Sequence, residues 1–130
     1  MTFAPSDFGN VGGSMLVGGT EYHTNPVSRD GQIQSIDSSG TLKRFTQFPL
    51  EQTEGIVAQM GFAPDSFTGY GGKLFVSLAG KSGGGGINGA LVVFDSTGNQ
   101  IAEIKKGDQA GQFDPRGFYF TDQGEMLIAA

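Results

Sequence analysis

Residues that could do acid–base chemistry lie around His23, the only histidine in the chain. An imidazole gains and loses a proton near neutral pH and can act as a general base, and either Glu21 or Asp30 could orient it. The alternative, which we favour, is a polar residue in an exposed loop. The sequence contains no Gly-x-Ser-x-Gly elbow, no His-Glu-x-x-His motif and no phosphate loop. We therefore assign no catalytic residue.

A second candidate is the glycine-rich segment that starts at Lys81 and continues Ser-Gly-Gly-Gly-Gly. A phosphate cradle needs a following helix whose N-terminus faces the anion. The residues that follow, Ala90 to Phe94, predict a strand instead. We interpret this segment as a flexible loop.

The composition predicts a folded, glycine-rich β protein. Glycine accounts for 23 of the 130 residues, and a glycine inside a helix costs about 1 kcal/mol relative to alanine. Eleven phenylalanines are enough to fill a core. The net charge of −5 argues against nucleic acids and anionic membranes as partners, because both bind basic surfaces. With no cysteine there is no thiolate site, and we expect neither a signal peptide nor a membrane span in this segment.

The sequence repeats itself. Phe3 recurs as Phe62, and the same offset holds up to Val17; from Gly31, which recurs as Gly89, the offset is shorter by one. A shorter third copy starts at Gly117. We divide the chain into repeat 1 (about 2–60), repeat 2 (about 61–119) and a partial repeat 3 (about 117–130). The matches between the first two copies are Phe3-Ala4-Pro5 with Phe62-Ala63-Pro64, Phe8 with Phe67, Gly12-Gly13 with Gly71-Gly72, Val17 with Val76, Gly31 with Gly89, Ile33 with Leu91, Ile36-Asp37-Ser38 with Phe94-Asp95-Ser96, and Gly40 with Gly98, and in the third copy Met126-Leu127-Ile128 matches Leu74-Phe75-Val76.

Each full copy contains four short apolar or alternating runs separated by Gly, Asp, Asn and Pro, the strand-and-turn pattern of an all-β chain. We predict no helix. The predicted strands lie near 14–18, 32–37, 41–47, 56–63, 73–78, 89–95, 100–106, 117–121 and 125–129.

Two Asp-x-x-Gly segments, Asp37 to Gly40 and Asp95 to Gly98, predict tight turns between the third and fourth strands of each copy. An Asp side chain accepts hydrogen bonds from its own downstream backbone, and Gly adopts a positive φ. Calcium loops are the alternative, but the alternating oxygen ligands of an EF-hand are missing. The aromatic residues beside the paired glycines could stack on a sugar or a base, but we expect them to seal one end of each unit: Phe8, Phe67 and Tyr70.

The third copy, Pro115-Arg116-Gly117-Phe118-x-Phe120 and then Gly124-x-Met126-Leu127-Ile128-Ala129, resembles the blade repeat of NHL and gluconolactonase-type β-propellers. The longer copies are similar to blades of exported bacterial propeller proteins. The resemblance implies an all-β partial propeller of about 2.5 blades, each with four antiparallel strands lettered A to D from the channel outwards. The chain would hold the end of one A strand, then B, C, D, A, B, C, D, A and B. The same blade carries many activities, so the resemblance is specific for fold alone.

In such propellers the B–C and D–A loops meet at one face, where ligands bind; here these loops would be 18–31, 48–54, 79–88 and 106–116. In gluconolactonase-type enzymes a Glu before Gly at the start of an A strand is a metal ligand, so Glu54 resembles a ligand for Ca²⁺ or another divalent cation. Arg116 would place a cation at the same position of the next copy, so we favour a channel-mouth carboxylate or an arginine partner. The predicted ligand-binding face contains Tyr22, His23, Arg29, Asp30, Glu54, Lys81 and Arg116.

The resemblance predicts a non-enzymatic propeller module that is a binding or scaffold part of a larger or oligomeric bacterial protein, periplasmic or extracellular. One alternative is a fragment of a propeller hydrolase or lyase, lactonase-like, with a divalent metal at the channel mouth. Another is a self-assembling structural protein. The partners would be further blades, from the same longer chain or from other copies, because isolated blades expose apolar faces and strand edges.

Overall fold

The computed structural model describes residues 1–24, 27–50, 54–80, 87–104, 112–113 and 115–129. Within these ranges the chain forms β-strands and one 3-10 turn, Gly9–Val11, and no α-helix, as an all-β chain should. None of the described residues forms a helix with the length and hydropathy of a membrane span. The strands are β1 (Thr2–Phe3), β2 (Met15–Thr24), β3 (Val27–Ile36), β4 (Leu42–Pro49), β5 (Glu54–Phe62), β6 (Leu74–Gly80), β7 (Ile87–Asn88), β8 (Ala90–Phe94), β9 (Gln100–Ile104), β10 (Gln112–Phe113), β11 (Gly117–Phe120) and β12 (Met126–Ala129).

Three antiparallel sheets follow the order of the chain. Sheet 1 has the strand order β1-β2-β3-β4, sheet 2 has β5-β6-β8-β9, and sheet 3 is the pair β11-β12. The two four-stranded antiparallel sheets confirm the predicted grouping of the strands. A short parallel pair, β7 with β10, was not predicted, and it joins two segments that were expected to be loops, 79–88 and 106–116.

Strands β2 and β3 are longer than predicted. The expected loop 18–31 was wrong, because the β2–β3 ladder continues without a break from Gly18↔Ile33 to Thr24↔Val27. Two other expected loops, 48–54 and 79–88, are shortened in the same way, because β4 reaches Pro49, β5 begins at Glu54 and β6 reaches Gly80.

The glycines that were interpreted as loop signals in this hairpin allow close packing instead. A Cβ on Gly18 would lie 2.6 Å from Cγ1 of Val57 in β5, and a Cβ on Gly31 would meet the ring of Phe48. Neither residue has a positive φ. A glycine in a strand can thus mark a close approach rather than a break in the strand.

The first two repeats adopt the same backbone structure after their first strands. Gly13 N donates to Ala4 O at 3.0 Å, and Gly72 N donates to Ala63 O at the same distance. The two glycines have φ values of 79° and 72°. Both pairs of residues are matched in the sequence alignment of the copies, so the repeat read from the sequence is a structural repeat.

The two Asp-x-x-Gly segments are equivalent turns, as predicted. Asp37 Oδ1 accepts from Ser39 N and from Thr41 N, each at 2.9 Å. Asp95 Oδ1 accepts from Thr97 N at 2.9 Å and from Asn99 N at 3.0 Å. A hydrogen bond from the hydroxyl of the second residue downstream, Ser39 or Thr97, holds the pKa of each carboxyl below its ordinary value.

Sheet 2 lies between the other two sheets. All seven residues of β6 and all five of β8 are buried. Their side chains alternate between two apolar clusters, as successive residues of a strand do. One cluster, which includes Leu16, Ile33, Leu74, Val76, Leu78, Val92 and Phe94, joins sheet 2 to sheet 1. The other, which includes Phe75, Leu91, Val93 and Phe118, joins sheet 2 to sheet 3.

Aromatic pairs at one end of the sheets repeat across the two clusters. Phe8 packs against Phe62 with ring centroids 4.7 Å apart, and Phe67 packs against Phe120 at 5.1 Å. Tyr70 packs against Phe75 at 6.0 Å. These contacts confirm that Phe8, Phe67 and Tyr70 contribute to the apolar packing.

Candidate binding site on the β2–β3 hairpin

Four of the predicted site residues lie together on the β2–β3 hairpin. The register places Tyr22 opposite Arg29, Glu21 opposite Asp30 and His23 opposite Ser28. Because successive side chains in a strand point to opposite faces, His23 and Asp30 share one face and Tyr22 and Arg29 share the other. The hairpin therefore divides the predicted set into two pairs.

His23 and Asp30 lie on the face of sheet 1 that points away from sheet 2, here called the outer face. Leu16, on the opposite parity of β2, is fully buried against sheet 2. Gly18 also faces sheet 2 through Val57. The outer face of β2 therefore carries Met15, Val17, Gly19, Glu21 and His23.

The three titratable side chains on this face form one cluster, here called the Glu-His-Asp cluster. His23 Nε2 lies 2.9 Å from Asp30 Oδ2 and 3.9 Å from Glu21 Oε2. The three ligand atoms all lie within 4.8 Å of one another. The side chains are partly exposed, 38 % for His23, 42 % for Glu21 and 24 % for Asp30. Each is therefore both fixed by a neighbour and accessible to a ligand.

Two glutamine side chains on the same face donate hydrogen bonds to the carboxylates of this cluster. Gln32 Nε2 donates a hydrogen bond to Glu21 Oε2. Gln47 Nε2, from β4, donates to Asp30 Oδ2 at 2.7 Å. Such outer contacts fix the orientation of groups that bind a ligand.

The interpretation of His23 as a loop residue was wrong, since it lies within β2 and contacts Asp30. The strand fixes its position, and Asp30, one of the two residues proposed to orient it, is in hydrogen-bond contact. The cluster offers one imidazole nitrogen and carboxylate oxygens at a solvent-accessible surface. This chemistry suits the binding of a cation or of a ligand with hydrogen-bond donors.

The remaining predicted residues lie elsewhere. Arg116 is exposed and precedes β11 of sheet 3, where its backbone N donates to Ala129 O at 2.8 Å. Glu54 begins β5 and pairs with Gly80. The side chain of Glu54 and the whole of Lys81 lie outside the described residues. The metal-ligand role of Glu54 therefore stays a prediction.

Sequence reasoning missed Gln32 and Gln47 and gave Glu21 only a supporting role. The signal that could have found the cluster is the hairpin register. If β2 ends at Thr24 and β3 begins at Val27, Glu21 must lie opposite Asp30, and Gln32 follows on the same face. The glycines at 18, 19 and 31 hid this register, because they were interpreted as loop residues.

Comparison of the chain with protein-family models, with curated proteins and with solved structures gave no match.

Proposed function

We propose that this chain is a non-enzymatic series of β-propeller blades that serves as a binding or scaffold part of a larger or oligomeric assembly. The observation that carries the proposal is the burial of sheet 2 on both faces, between sheets that precede and follow it in the chain. Propellers are built by such radial repetition of four-stranded antiparallel sheets.

The contacts between the sheets support a radial arrangement. β5, the first strand of sheet 2, packs against β2 of sheet 1 and also against β11, the first strand of sheet 3. Gln59 of β5 exchanges two hydrogen bonds with Phe118 of β11, from Nε2 to Phe118 O at 2.9 Å and from Phe118 N to Oε1 at 3.1 Å. In a propeller the first strand of every blade lies next to the central axis, so the first strands of neighbouring blades lie side by side, as β5 and β11 do.

The outer surface of sheet 3 supports a role in assembly. Tyr119 and Leu127 face each other across this sheet and are 66 % and 57 % exposed. The matching pair in sheet 2, Gly61 and Phe75, is covered by sheet 3 through Phe118. The chain therefore exposes on sheet 3 the same surface that it buries on sheet 2, and a further sheet of the same repeat fits it.

The assembly proposal is tested by multi-angle light scattering on the isolated chain over a range of concentrations. We expect a mass above the 13.6 kDa of one chain, rising with concentration, because the apolar end of the outer face of sheet 1, at Met15 and Val17, can cover sheet 3 of the next copy in a head-to-tail contact. This contact leaves the Glu-His-Asp cluster, at the other end of that face, accessible to solvent. Charged substitution at the exposed pair, Tyr119→Asp with Leu127→Asp, should return the protein to the mass of one chain.

The control is Tyr22→Asp, since Tyr22 is 68 % exposed but lies on the face of sheet 1 opposite to the outer face that would cover the next copy. This variant should assemble like the parent. A parent chain that keeps the mass of one copy at every concentration would contradict the assembly role. Lactone hydrolysis by the purified protein with added Ca²⁺ would contradict the non-enzymatic part.

A further inference from the structure

Glu21, His23 and Asp30 belong to neither of the two apolar clusters that join the sheets. The Glu-His-Asp cluster can therefore have a function beyond the proposed scaffold. We infer that it is a binding site for a divalent transition-metal ion such as Zn²⁺. The ligands are His23 Nε2 and one carboxylate oxygen each from Glu21 and Asp30.

The mixed donor set favours Zn²⁺ over Ca²⁺. Zn²⁺ binds imidazole nitrogen together with carboxylate oxygen, usually with four ligands. Ca²⁺ takes six to eight oxygen ligands and gains nothing from an imidazole. Three protein ligands on a partly exposed face leave the fourth zinc position for water or for a group from another molecule.

The distances between the donor atoms fit such an ion. Zinc bonds of about 2.0–2.2 Å in a tetrahedral site place neighbouring ligand atoms roughly 3.3–3.6 Å apart. The two separations from His23 Nε2, 2.9 Å to Asp30 and 3.9 Å to Glu21, lie on either side of that value. Binding replaces the hydrogen bond between His23 Nε2 and Asp30 Oδ2, so the neutral ring then carries its proton on Nδ1.

The surrounding residues hold the proposed ligands in position before an ion binds. Gln32 and Gln47 each donate to one of the two carboxylates. The three proposed ligands, Glu21, His23 and Asp30, lie on paired strands rather than on a loop. A site on regular strands needs less ordering when the ion binds.

A comparison of the repeats sets the cluster apart from the blade pattern. By the offsets that relate the two copies, Glu21 corresponds to Gly80, Asp30 to Asn88 and Gln32 to Ala90. The second repeat therefore has no acid at these positions. The polar cluster is an addition to the first repeat and not a consequence of its fold.

Zinc titration by isothermal calorimetry on the full chain, prepared without a polyhistidine tag, tests the inference. We expect saturable binding of one Zn²⁺ per chain. His23→Gln, Glu21→Gln and Asp30→Asn should each weaken binding by at least about tenfold, because even outer contacts of metal sites contribute that much. Ser28→Ala, opposite His23 but without a ligand atom in the cluster, is the matched control and should bind like the parent.

A second readout identifies the ligand nitrogen. The ¹⁵N resonance of His23 Nε2 should shift on addition of Zn²⁺, and the rest of the hairpin should keep its chemical shifts. The inference is overturned if the parent chain shows no saturable binding, or if His23→Gln binds zinc as tightly as the parent. Because this test is independent of molecular mass, its failure is distinguishable from failure of the assembly proposal.

Discussion

Sheet 2 and sheet 1 are built from the same repeat, yet one is buried on both faces and the other on one. Every residue of β6 is buried, whereas in the equivalent strand β2 only Leu16 is. The side of sheet 2 that packs on sheet 1 carries Leu78, Ala90 and Val92. The corresponding residues on the outer face of sheet 1 are Gly19, Gln32 and Gln34.

This difference shows that the turns are kept in both copies, whereas the outer face of sheet 1 and the corresponding face of sheet 2 differ in polarity with their surroundings. The turn residues are matched in both copies down to individual hydrogen bonds. The outer face of sheet 1 instead combines apolar residues at one end with the Glu-His-Asp cluster at the other. Polar residues are tolerated there because they stay accessible to solvent.

The largest expected difference in the free energy of unfolding is between substitutions at equivalent positions in sheets 2 and 3. Phe75 is fully buried among the rings of Phe67, Phe118 and Phe120. Phe75→Ala should lower the free energy of unfolding by about 3–5 kcal/mol, through lost burial and a cavity. Leu127→Ala, at the exposed equivalent position, should change it by less than about 0.5 kcal/mol. Urea denaturation of dilute protein measures both, and similar effects at the two positions would contradict the burial difference.

A smaller effect is expected at two neighbouring glycines of β2. Gly18→Ala places a Cβ 2.6 Å from Val57 Cγ1, whereas a Cβ on Gly19 meets nothing within 4 Å. We expect Gly18→Ala to destabilise the protein by about 1–3 kcal/mol, as overpacking does. Gly19→Ala is the matched control and should be neutral or slightly stabilising, since glycine weakens a strand. Equal thermal midpoints for the two variants would show that sheet 1 does not pack on β5 as described.

The smallest effect on stability is expected at the two Asp turns. Substitution of Asp37 in sheet 1 and of Asp95 in sheet 2 should change stability, and its dependence on pH, by similar amounts. Hydrogen bonds, first of all from the Ser39 and Thr97 hydroxyls, lower the pKa of Asp37 and Asp95 in the folded state. A lowered folded-state pKa gives stability that is present above the unfolded pKa of about 3.9 and is lost as the pH falls through the folded-state pKa.

Asp37→Asn and Asp95→Asn should therefore reduce stability slightly at neutral pH and flatten its decline in acid. Urea midpoints measured at neutral pH and at several values below about 3.9 check this. A stability difference from the parent that stays constant with pH, or that appears for one turn only, would contradict the equivalence of the turns.

Much of this structure could be predicted from short, local signals. Asp and Gly at fixed spacing indicated the turns at 37–40 and 95–98, and the constant offset between matched residues such as Phe3 and Phe62 indicated the repeating unit. The match of Met126-Leu127-Ile128 to Leu74-Phe75-Val76 indicated how the third copy aligns. A turn depends on the order of residues within one short segment, and the repeat is found by comparing short segments with one another, so neither requires knowledge of the packing.

The candidate site could not be predicted in the same way, because it depends on pairing and packing between segments. Gly18 and Gly31 suggest a loop until Val57 and Phe48 are seen to cover them. The contact of Asp30 with Gln47 depends on the β3–β4 pairing, where a bulge after Ile33 shifts the register. The β7–β10 pair joins segments that are far apart in sequence, and no local pattern marked either one.

Nuclear Overhauser measurements on the isotopically labelled chain test the position of sheet 2 between the other two sheets most directly. The structure predicts cross-peaks from Gly18 Hα to the Val57 methyl groups and from Gly61 Hα to the Phe118 ring, observed in the same sample. Turn contacts within 37–41 and 95–99, seen without either set of cross-peaks between sheets, would mean that the repeats fold but do not stack, and would contradict the proposed arrangement of blades.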